Sequence, residues 1–299
     1  MKANQATTVD PGKYRSHVYW ENVKRTYLVH VPQSYDGTTP MPVMVVLHGG
    51  GGSAEFGYRV HGWTDLSERR GCLVVFPEAT AEDPNRPAAV RENPRIWNDG
   101  SRRSAVARRN VDDIGYLGAV LDSVQEAFAV DTNRVFVTGF SNGASMSFRV
   151  GVELARRIAA IAPVSGHLCL ENPQPARPLS MLYMIGLADP INPLEGGPTV
   201  SPWGSRRIKP PVMDSISTWL RLIQASDEPE VMRDSDGVRQ IRFGPGETGC
   251  EVQLHTIEGQ GHEWPGAQRT LPSIISGPQT DKLNATEVIW DFFESTYVS

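Results

Sequence analysis

The sequence predicts an α/β fold in which helices cover both faces of a mostly parallel central sheet of about eight strands. The main observation is that short apolar segments alternate along the chain with longer amphipathic patterns. A second is that these segments are continuously apolar and rich in branched side chains, as strands buried on both faces require. The chain also holds 28 glycines and 23 prolines, which indicate many ordered turns. The predicted strands are 42–47, 72–77, 134–139, 159–164, 181–185 and 252–257.

The earliest predicted strand, residues 27–31, differs from the others because apolar and polar residues alternate in it. We expect it to be antiparallel and half exposed. Helical periodicity predicts amphipathic helices at 112–128, 213–225 and 285–296. Asp112 and Asp113 stand at the start of the first helix, where capping and the helix dipole explain two adjacent carboxylates better than a metal site does.

The 299 residues show no internal repeat and no linker-like segment, so we expect one domain, 1–299, with two long insertions. The insertions lie at about 78–111 and 190–211, and their length indicates a role in specificity. The first carries a basic cluster, which we interpret mainly as a solvated loop, with contact to an anionic or carbohydrate-rich substrate as the alternative. The cluster comprises Arg91, Arg95, Arg102, Arg103, Arg108 and Arg109.

Charge and composition argue against several partners and cofactors. A net charge of −5 and a pI near 5.8 leave no basic surface for nucleic acid. No segment reaches the roughly 18 apolar residues of a membrane helix, so no membrane partner is predicted. Cys72, Cys169 and Cys250 allow at most one disulfide and match no zinc spacing. The first ten residues lack a secretory pattern, so the chain as written is expected to be cytoplasmic, or secreted if a leader was removed.

A Gly-x-Ser-x-Gly motif at 139–143 follows one predicted strand directly and precedes a helical pattern. A strand that turns sharply into a helix holds its central residue in a strained conformation, and glycines on either side prevent clashes. The hydroxyl of Ser141 then points into open space. We therefore interpret Ser141 as a nucleophile rather than as part of a structural turn.

A serine nucleophile needs a base and a carboxylate that orients the base. His262 is the strongest base candidate because it follows the last predicted strand in a glycine-rich loop. Asp189 follows the strand 181–185 and is the preferred acid, with Asp214 and Asp227 as alternatives that helix capping or solvation would explain. The chain order serine, acid, histidine is typical of the α/β-hydrolase arrangement.

The glycine run 49–52 follows the predicted strand 42–47 and lets the backbone approach a substrate closely. We expect an amide near Gly50 or Gly51 to form an oxyanion hole with the amide of Asn142. A phosphate-binding loop is disfavoured because no Lys-Ser or Lys-Thr pair follows. The ring of His48, at the start of this turn, is expected to border the substrate pocket rather than to transfer protons. His167 is interpreted as a pocket or loop residue.

These motifs together resemble the α/β-hydrolases of the polyhydroxybutyrate-depolymerase, feruloyl-esterase and acetyl-xylan-esterase type. The resemblance extends from about residue 27 to 290, and its most specific element is His-x-Trp-Pro-Gly at 262–266. It implies that Ser141 is the nucleophile, Asp189 the acid and His262 the base. It also implies that Trp97 and Trp264 line an acyl or aromatic pocket. The other motifs that carry it are Leu-His-Gly-Gly at 47–50, Trp-Asn at 97–98, Val-Asp-Asp at 111–113 and Glu-Gly-Gly at 195–197.

The chain departs from this group at two kinds of position. Members often carry cysteines beside the Trp-Asn element and in the glycine turn, where this chain has Asp99 and Gly50. The disulfides of secreted relatives are therefore not expected here. Many members also have a histidine shortly before the acid, where this chain has Ile185 and Gly186.

The sequence thus predicts a serine carboxylic-ester hydrolase that forms an acyl-enzyme and needs no metal or cofactor. The expected substrates are feruloyl or other aryl esters, acetyl esters and short-chain hydroxyalkanoate esters. These esters are expected in small molecules, in polysaccharides or in polyesters. The choice among them is expected to depend on loops around Trp97, Trp203 and Trp264. A serine peptidase of the same fold and a non-catalytic binding protein are the alternatives.

Overall fold

The computed structural model describes residues 10–297, and within them ten strands form one mixed sheet. The strands of the chain are β1 (Gly12–Trp20), β2 (Val23–Val31), β3 (Met41–Leu47), β4 (Leu73–Pro77), β5 (Thr80–Ala81), β6 (Arg95–Ile96), β7 (Val130–Phe140), β8 (Ala160–Val164), β9 (Ser180–Gly186), β10 (Gly197–Val200), β11 (Arg206–Lys209), β12 (Pro229–Ser235), β13 (Val238–Phe243) and β14 (Val252–Ile257). The α/β class and the mostly parallel sheet predicted from sequence are confirmed.

Within the described residues, six helices lie between strands, as the alternating pattern predicts, and two follow the last strand. They are α1 (Ala54–Val60), α2 (Trp63–Arg70), α3 (Ala105–Arg108), α4 (Asp113–Ala127), α5 (Asn142–Glu153), α6 (Val212–Ile223), α7 (Ser273–Ser276) and α8 (Ala285–Tyr297), with a 3-10 turn at Ala155–Arg157. Among residues 10–297, no helix combines the length and apolarity that crossing a bilayer would require.

The strand order in the large sheet is β1-β2-β4-β3-β7-β8-β9-β14-β13-β12. The six central strands, β4 to β14 in that order, run parallel, and antiparallel pairs extend both edges. All six apolar segments predicted as strands are the central ones. The sheet exceeds the expected eight strands because polar edge strands escaped prediction: β12 is mostly exposed, and β1 alternates between exposed and partly buried residues.

Strand β2 contains the segment predicted to be antiparallel, and it does pair antiparallel with β4. The expectation that this segment is half exposed is wrong, because Leu28 to Val31 are all buried. The cause is that β2 is not an edge strand. β1 extends the sheet beyond it, and α1 and α2 contact one of its faces.

Two apolar cores form, one on each face of the sheet, because alternate residues of a strand point to opposite faces. In β3, Val43 and Val45 enter the core packed against α4, α5 and α6, whereas Met44 enters the core packed against α2 and α8. Trp219 fills the first core and Trp290 the second. This double coverage leaves the carboxyl ends of the parallel strands as the accessible edge.

The two predicted insertions form small hairpins above that edge. The first contains β5, β6 and the short helix α3, and the second contains the hairpin β10–β11. Trp203, at the tip of the second hairpin, donates from Nε1 to the carbonyl oxygen of Val90 in the first insertion at 2.8 Å. Because the large sheet draws strands from Gly12 to Ile257, we propose that the chain is one domain that carries these two insertions.

The two aspartates at the start of α4 have different roles. Asp112 caps the helix by accepting from the Gly115 amide at 2.9 Å, as expected. Asp113 does not act as a cap: its fully buried carboxylate forms an ion pair with Arg25 at 2.7 Å. The Arg25 guanidinium also lies over the ring of Tyr116, 3.9 Å from its centroid. Burial raises the pKa of Asp113, and the charge of Arg25 opposes that change.

We predict that Asp113→Ala lowers the free energy of unfolding by about 3–5 kcal/mol, because it leaves the buried Arg25 guanidinium without its partner. The neighbouring Asp112→Ala removes a helix cap and a hydrogen bond from Nε1 of Trp20, and is expected to cost only about 1–2 kcal/mol. Urea denaturation of both variants and the wild type measures the difference. Equal losses of unfolding free energy in the two variants would show that the buried ion pair contributes no more to stability than the Asp112 side chain does.

Candidate active site

Ser141 lies at the sharp turn between β7 and α5 with φ 55° and ψ −114°, a conformation that is strained for a residue with a side chain. Its amide donates to the Val164 carbonyl at 2.9 Å, which ties the turn to β8. The glycines beside it are required by close backbone approach. A Cβ atom at Gly143 would lie 2.2 Å from the Leu47 carbonyl oxygen, and one at Gly139 would lie 2.3 Å from the Gly143 carbonyl oxygen.

The structure brings together the three residues predicted to act as nucleophile, base and acid. Nε2 of His262 lies 2.9 Å from Oγ of Ser141, and Nδ1 of His262 lies 2.7 Å from Oδ2 of Asp189. The three side chains come from the carboxyl ends of β7, β14 and β9, so the parallel sheet sets their positions. The arrangement can transfer a proton from the serine hydroxyl to the imidazole while the carboxylate stabilises the resulting charge.

Backbone contacts hold the acid and the base in place. The other oxygen of Asp189, Oδ1, accepts from the amides of Ile191 and Asn192, each at 2.8 Å. The His262 amide donates to the Ser276 carbonyl at 2.6 Å. The buried carboxylate of Glu263 then accepts from Oγ1 of Thr270 at 2.6 Å and stabilises the rest of the histidine loop. The imidazole therefore has little freedom to turn away from Ser141.

The glycine run after β3 forms a tight turn, in which the Gly52 amide donates to the Gly49 carbonyl at 2.9 Å and Gly51 has φ 76°. Gly50 borders the cleft beside Asn142. The Gly51 amide instead donates to the Arg95 carbonyl at 2.8 Å. Of the two glycines expected to form an oxyanion hole, the structure therefore favours Gly50 and argues against Gly51, because the Gly51 donor is already engaged.

Besides the backbone amide expected to bind the oxyanion, Asn142 has a structural role for its side chain that was not predicted from the sequence. Its Oδ1 accepts from the Trp97 amide at 2.7 Å, and its Nδ2 donates to Asp99 at 3.0 Å. The intervening Asn98 amide donates to the buried carboxylate of Asp113 at 2.8 Å. The end of the first insertion is thus fixed directly to the residue that follows Ser141.

A cleft of about 350 Å³ opens above Ser141 between the two insertions, and Trp203 borders it as expected. The expectation that His48, Trp97 and Trp264 line the pocket is wrong, because all three are buried behind its wall. Trp97 donates from Nε1 to the His48 carbonyl at 2.9 Å. Trp264 stacks on the ring of His61 at 4.6 Å. These aromatic rings stabilise the loops from below.

The imidazole of His48 is held by the backbone and does not face the cleft. Its Nδ1 lies 2.8 Å from the Gly49 carbonyl oxygen, and its Nε2 accepts from the Ala79 amide at 3.1 Å. Burial lowers its pKa to about 4, so the ring is neutral near pH 7. His48 therefore shapes the glycine turn.

His167 and Asn192 lie in the cleft near the triad. His167 is buried beside the Asn192 side chain, which can bond only one of its ring nitrogens, and the other has no hydrogen-bond partner among residues 10–297. Burial lowers its pKa to about 4. Lys209 and Arg207, from β11, also border this end of the cleft. No sequence motif marks these two cations, because both lie on a short strand within the second insertion.

The described residues contain no group of three or more histidines, cysteines, aspartates or glutamates placed to hold a metal ion. The three cysteines are free thiols, and Cys169 borders the cleft. Burial raises the pKa of Cys169 to about 12, so its thiol is protonated near pH 7.

Comparison with known proteins identifies the family and the fold. The phospholipase/carboxylesterase family profile matches residues 35–203, more than half of the chain. A Nocardia uniformis subsp. tsuyamanensis protein named "Putative esterase NocK" is 26% identical over 266 residues, which cover 84% of this chain and 73% of that protein. Feruloyl esterase C of Emericella nidulans is 28% identical over 180 residues, 59% of each chain. The match thus spans less than two thirds of the feruloyl esterase.

Solved structures agree on the architecture. Acetyl xylan esterase from Aspergillus awamori superposes with a TM-score of 0.57 at 13% identity, covering 94% of this chain and 99% of that one. A ferulic acid esterase from Anaeromyces mucronatus, solved in complex with ferulic acid, gives a TM-score of 0.53 at 14% identity and covers 87% and 88% of the two chains. These likenesses confirm the α/β-hydrolase fold predicted from the sequence.

We predict that Asp189→Asn slows labelling of Ser141 by a fluorophosphonate about ten-thousand-fold, because the amide can no longer stabilise a protonated His262. Asp214→Asn, which changes the exposed acid considered as an alternative, should label at the wild-type rate. Labelling rates followed by mass spectrometry measure both. Fast labelling of the Asp189 variant would exclude Asp189 as the orienting acid.

Proposed function

The chain belongs to the phospholipase/carboxylesterase family, and from this premise we propose that it is a serine carboxylic-ester hydrolase that works through an acyl-enzyme. One observation carries the proposal: the continuous hydrogen-bonded series from Asp189 through His262 to Ser141 at a strained strand-to-helix turn. Strain of this kind persists only where the surrounding structure enforces it, and it is concentrated at functional sites.

In the proposed first step, Oγ of Ser141 attacks the ester carbonyl carbon while Nε2 of His262 takes the hydroxyl proton. A carbon–oxygen bond forms, and the carbonyl oxygen becomes an oxyanion. The amides of Asn142 and Gly50 would donate to that oxygen, which gathers charge only as the reaction proceeds. Asp189 stabilises the imidazolium at Nδ1.

In the second step, the tetrahedral intermediate collapses and the bond to the alcohol oxygen breaks, with His262 returning the proton to the departing alcohol. Water then enters, loses a proton to the same imidazole and attacks the acyl-enzyme. Collapse of the second intermediate releases the carboxylic acid and restores Ser141. Each proton taken by His262 is returned, so neither metal nor cofactor is needed.

We propose substrates in the range of feruloyl or other aryl esters, acetyl esters and short-chain polyester fragments. The feruloyl esterase and acetyl xylan esterase relatives support this range by their names. The cleft supports it by its size and by Trp203, whose indole offers an apolar surface beside polar groups such as Ser145 and Asn192. A mixed lining of this kind suits a short or aromatic acyl group better than a long alkyl chain.

Replacing the nucleophile should remove the activity. Ser141→Ala is expected to lower kcat for 4-nitrophenyl acetate by about three to six orders of magnitude, because the covalent route is lost. Ser217→Ala, on α6 outside the cleft, serves as the control and should match the wild type. Full activity of the Ser141 variant would refute the acyl-enzyme mechanism.

Acyl-chain selectivity should follow the lining of the cleft. We expect kcat/KM for 4-nitrophenyl esters to fall at least about tenfold from butyrate to laurate, because a long alkyl chain would desolvate polar groups without pairing them. The same assay series, extended to methyl ferulate, acetylated xylan and hydroxybutyrate oligomers, ranks the proposed substrates. Faster hydrolysis of the laurate would contradict the proposed range and indicate a lipase-like site.

A further inference from the structure

Three cationic side chains gather at one end of the cleft without carboxylate partners. Lys209 and Arg207 extend from β11, and Arg103 precedes α3 on the facing insertion. Among residues 10–297, none of the three side chains takes part in an ion pair or hydrogen bond. Arg95 and Arg149 nearby behave differently, because each forms an ion pair with a glutamate.

The three like charges are close enough to act on one another. Lys209 is half-buried, and burial together with the charges of Arg103 and Arg207 lowers its pKa. Asp99 acts on Lys209 in the opposite direction, but its single negative charge cannot balance three cations. An excess of positive charge therefore remains at this end of the cleft. A bound anion would relieve it.

A second, independent observation is a buried ring nitrogen of His167 that lacks a partner beside these cations. The Asn192 side chain can bond only one of the two ring nitrogens of His167, and the other has no partner within the described residues, although both residues are buried. Buried polar atoms are almost always hydrogen-bonded. Because both residues border the cleft, a molecule in the cleft can supply the partner for the neutral imidazole N–H.

We propose that this end of the cleft is a subsite for an anionic group, a carboxylate or an equivalent oxyanion, carried by the ester itself. The proposal rests on the proposed ester hydrolysis and narrows its substrate class to esters with a negative charge on the acyl or alcohol part. Lys209 and Arg207 pair with the anion, and His167 donates to one of its oxygens. Glu82 and Glu92, which also border the cleft, form no ion pair with these cations in the described chain.

Two matched substrate pairs test the subsite. On the alcohol side, 4-acetoxybenzoate is compared with 4-acetoxybenzamide, and on the acyl side the mono-4-nitrophenyl ester of adipic acid with its amide analogue. Each kcat/KM is divided by the spontaneous hydrolysis rate, which removes differences in intrinsic reactivity. In at least one pair we expect the anionic ester to be favoured about ten- to hundredfold, as expected for hydrogen bonds to a charged group.

Variants identify the groups responsible. Lys209→Met and Arg207→Gln should each weaken the preference, and together abolish it, by raising KM for the anionic ester relative to that for its neutral partner. Lys209→Arg should retain it. Arg206→Gln is the matched control, because Arg206 lies on the same strand and borders a neighbouring surface rather than this cleft. It removes one charge and should leave the preference intact.

The outcomes separate the two proposals. Hydrolysis of the neutral esters at least as fast as of the anionic ones, in both pairs, would overturn the subsite and leave the esterase proposal standing. Loss of the preference in Arg206→Gln as well would also overturn it, since a general effect of net charge would then suffice. Failure of the wild type to hydrolyse any of the four esters would refute the ester hydrolysis on which the subsite depends.

Discussion

The close approach of three backbone segments at Ser141 is the constraint on which the rest of the site depends. Gly143 packs its backbone against the end of β3, and Gly139 packs against Gly143, at distances that exclude any side chain. The strained turn they permit places the serine hydroxyl above the sheet edge and the glycine turn after β3 beside it. The same contacts thus position the candidate nucleophile and the candidate oxyanion donors.

A second layer of polar contacts joins this turn to the loops that shape the cleft. Arg25 and Asp113 form a buried ion pair, Asp113 accepts from the Asn98 amide, and Asn142 binds the residues on either side of Asn98. Buried charge of this kind is costly unless every group is paired. Pairing therefore fixes the conformation of the end of the first insertion. The position of this part of the cleft wall thus depends on α4, which carries Asp113, and on α5, which carries Asn142.

The sequence predicted what local patterns encode. Continuously apolar strands, helical periodicity and the Gly-x-Ser-x-Gly motif marked the central sheet and Ser141, and strand ends marked Asp189 and His262. The edge strands β1 and β12 were missed because strands with exposed faces carry many polar residues and weak signals. Trp97 and Trp264 were misplaced because an aromatic residue near a motif does not show which side of a loop it occupies. Gly51 was misassigned because its hydrogen bond to Arg95 joins distant segments.

The proposed reacting groups and the groups proposed to select the substrate lie in different parts of this fold. The proposed reacting groups lie at strand ends, where the sheet fixes their positions and short sequence motifs make them predictable. The groups that border the far end of the cleft, among them Arg103, Arg207 and Lys209, stand on two insertions joined by the Trp203 indole and the Val90 carbonyl. Insertions can change their residues without disturbing the sheet. Proteins of one family can therefore differ in the esters they accept, and in the subsite that we propose the charge of the insertions is the property that makes the difference.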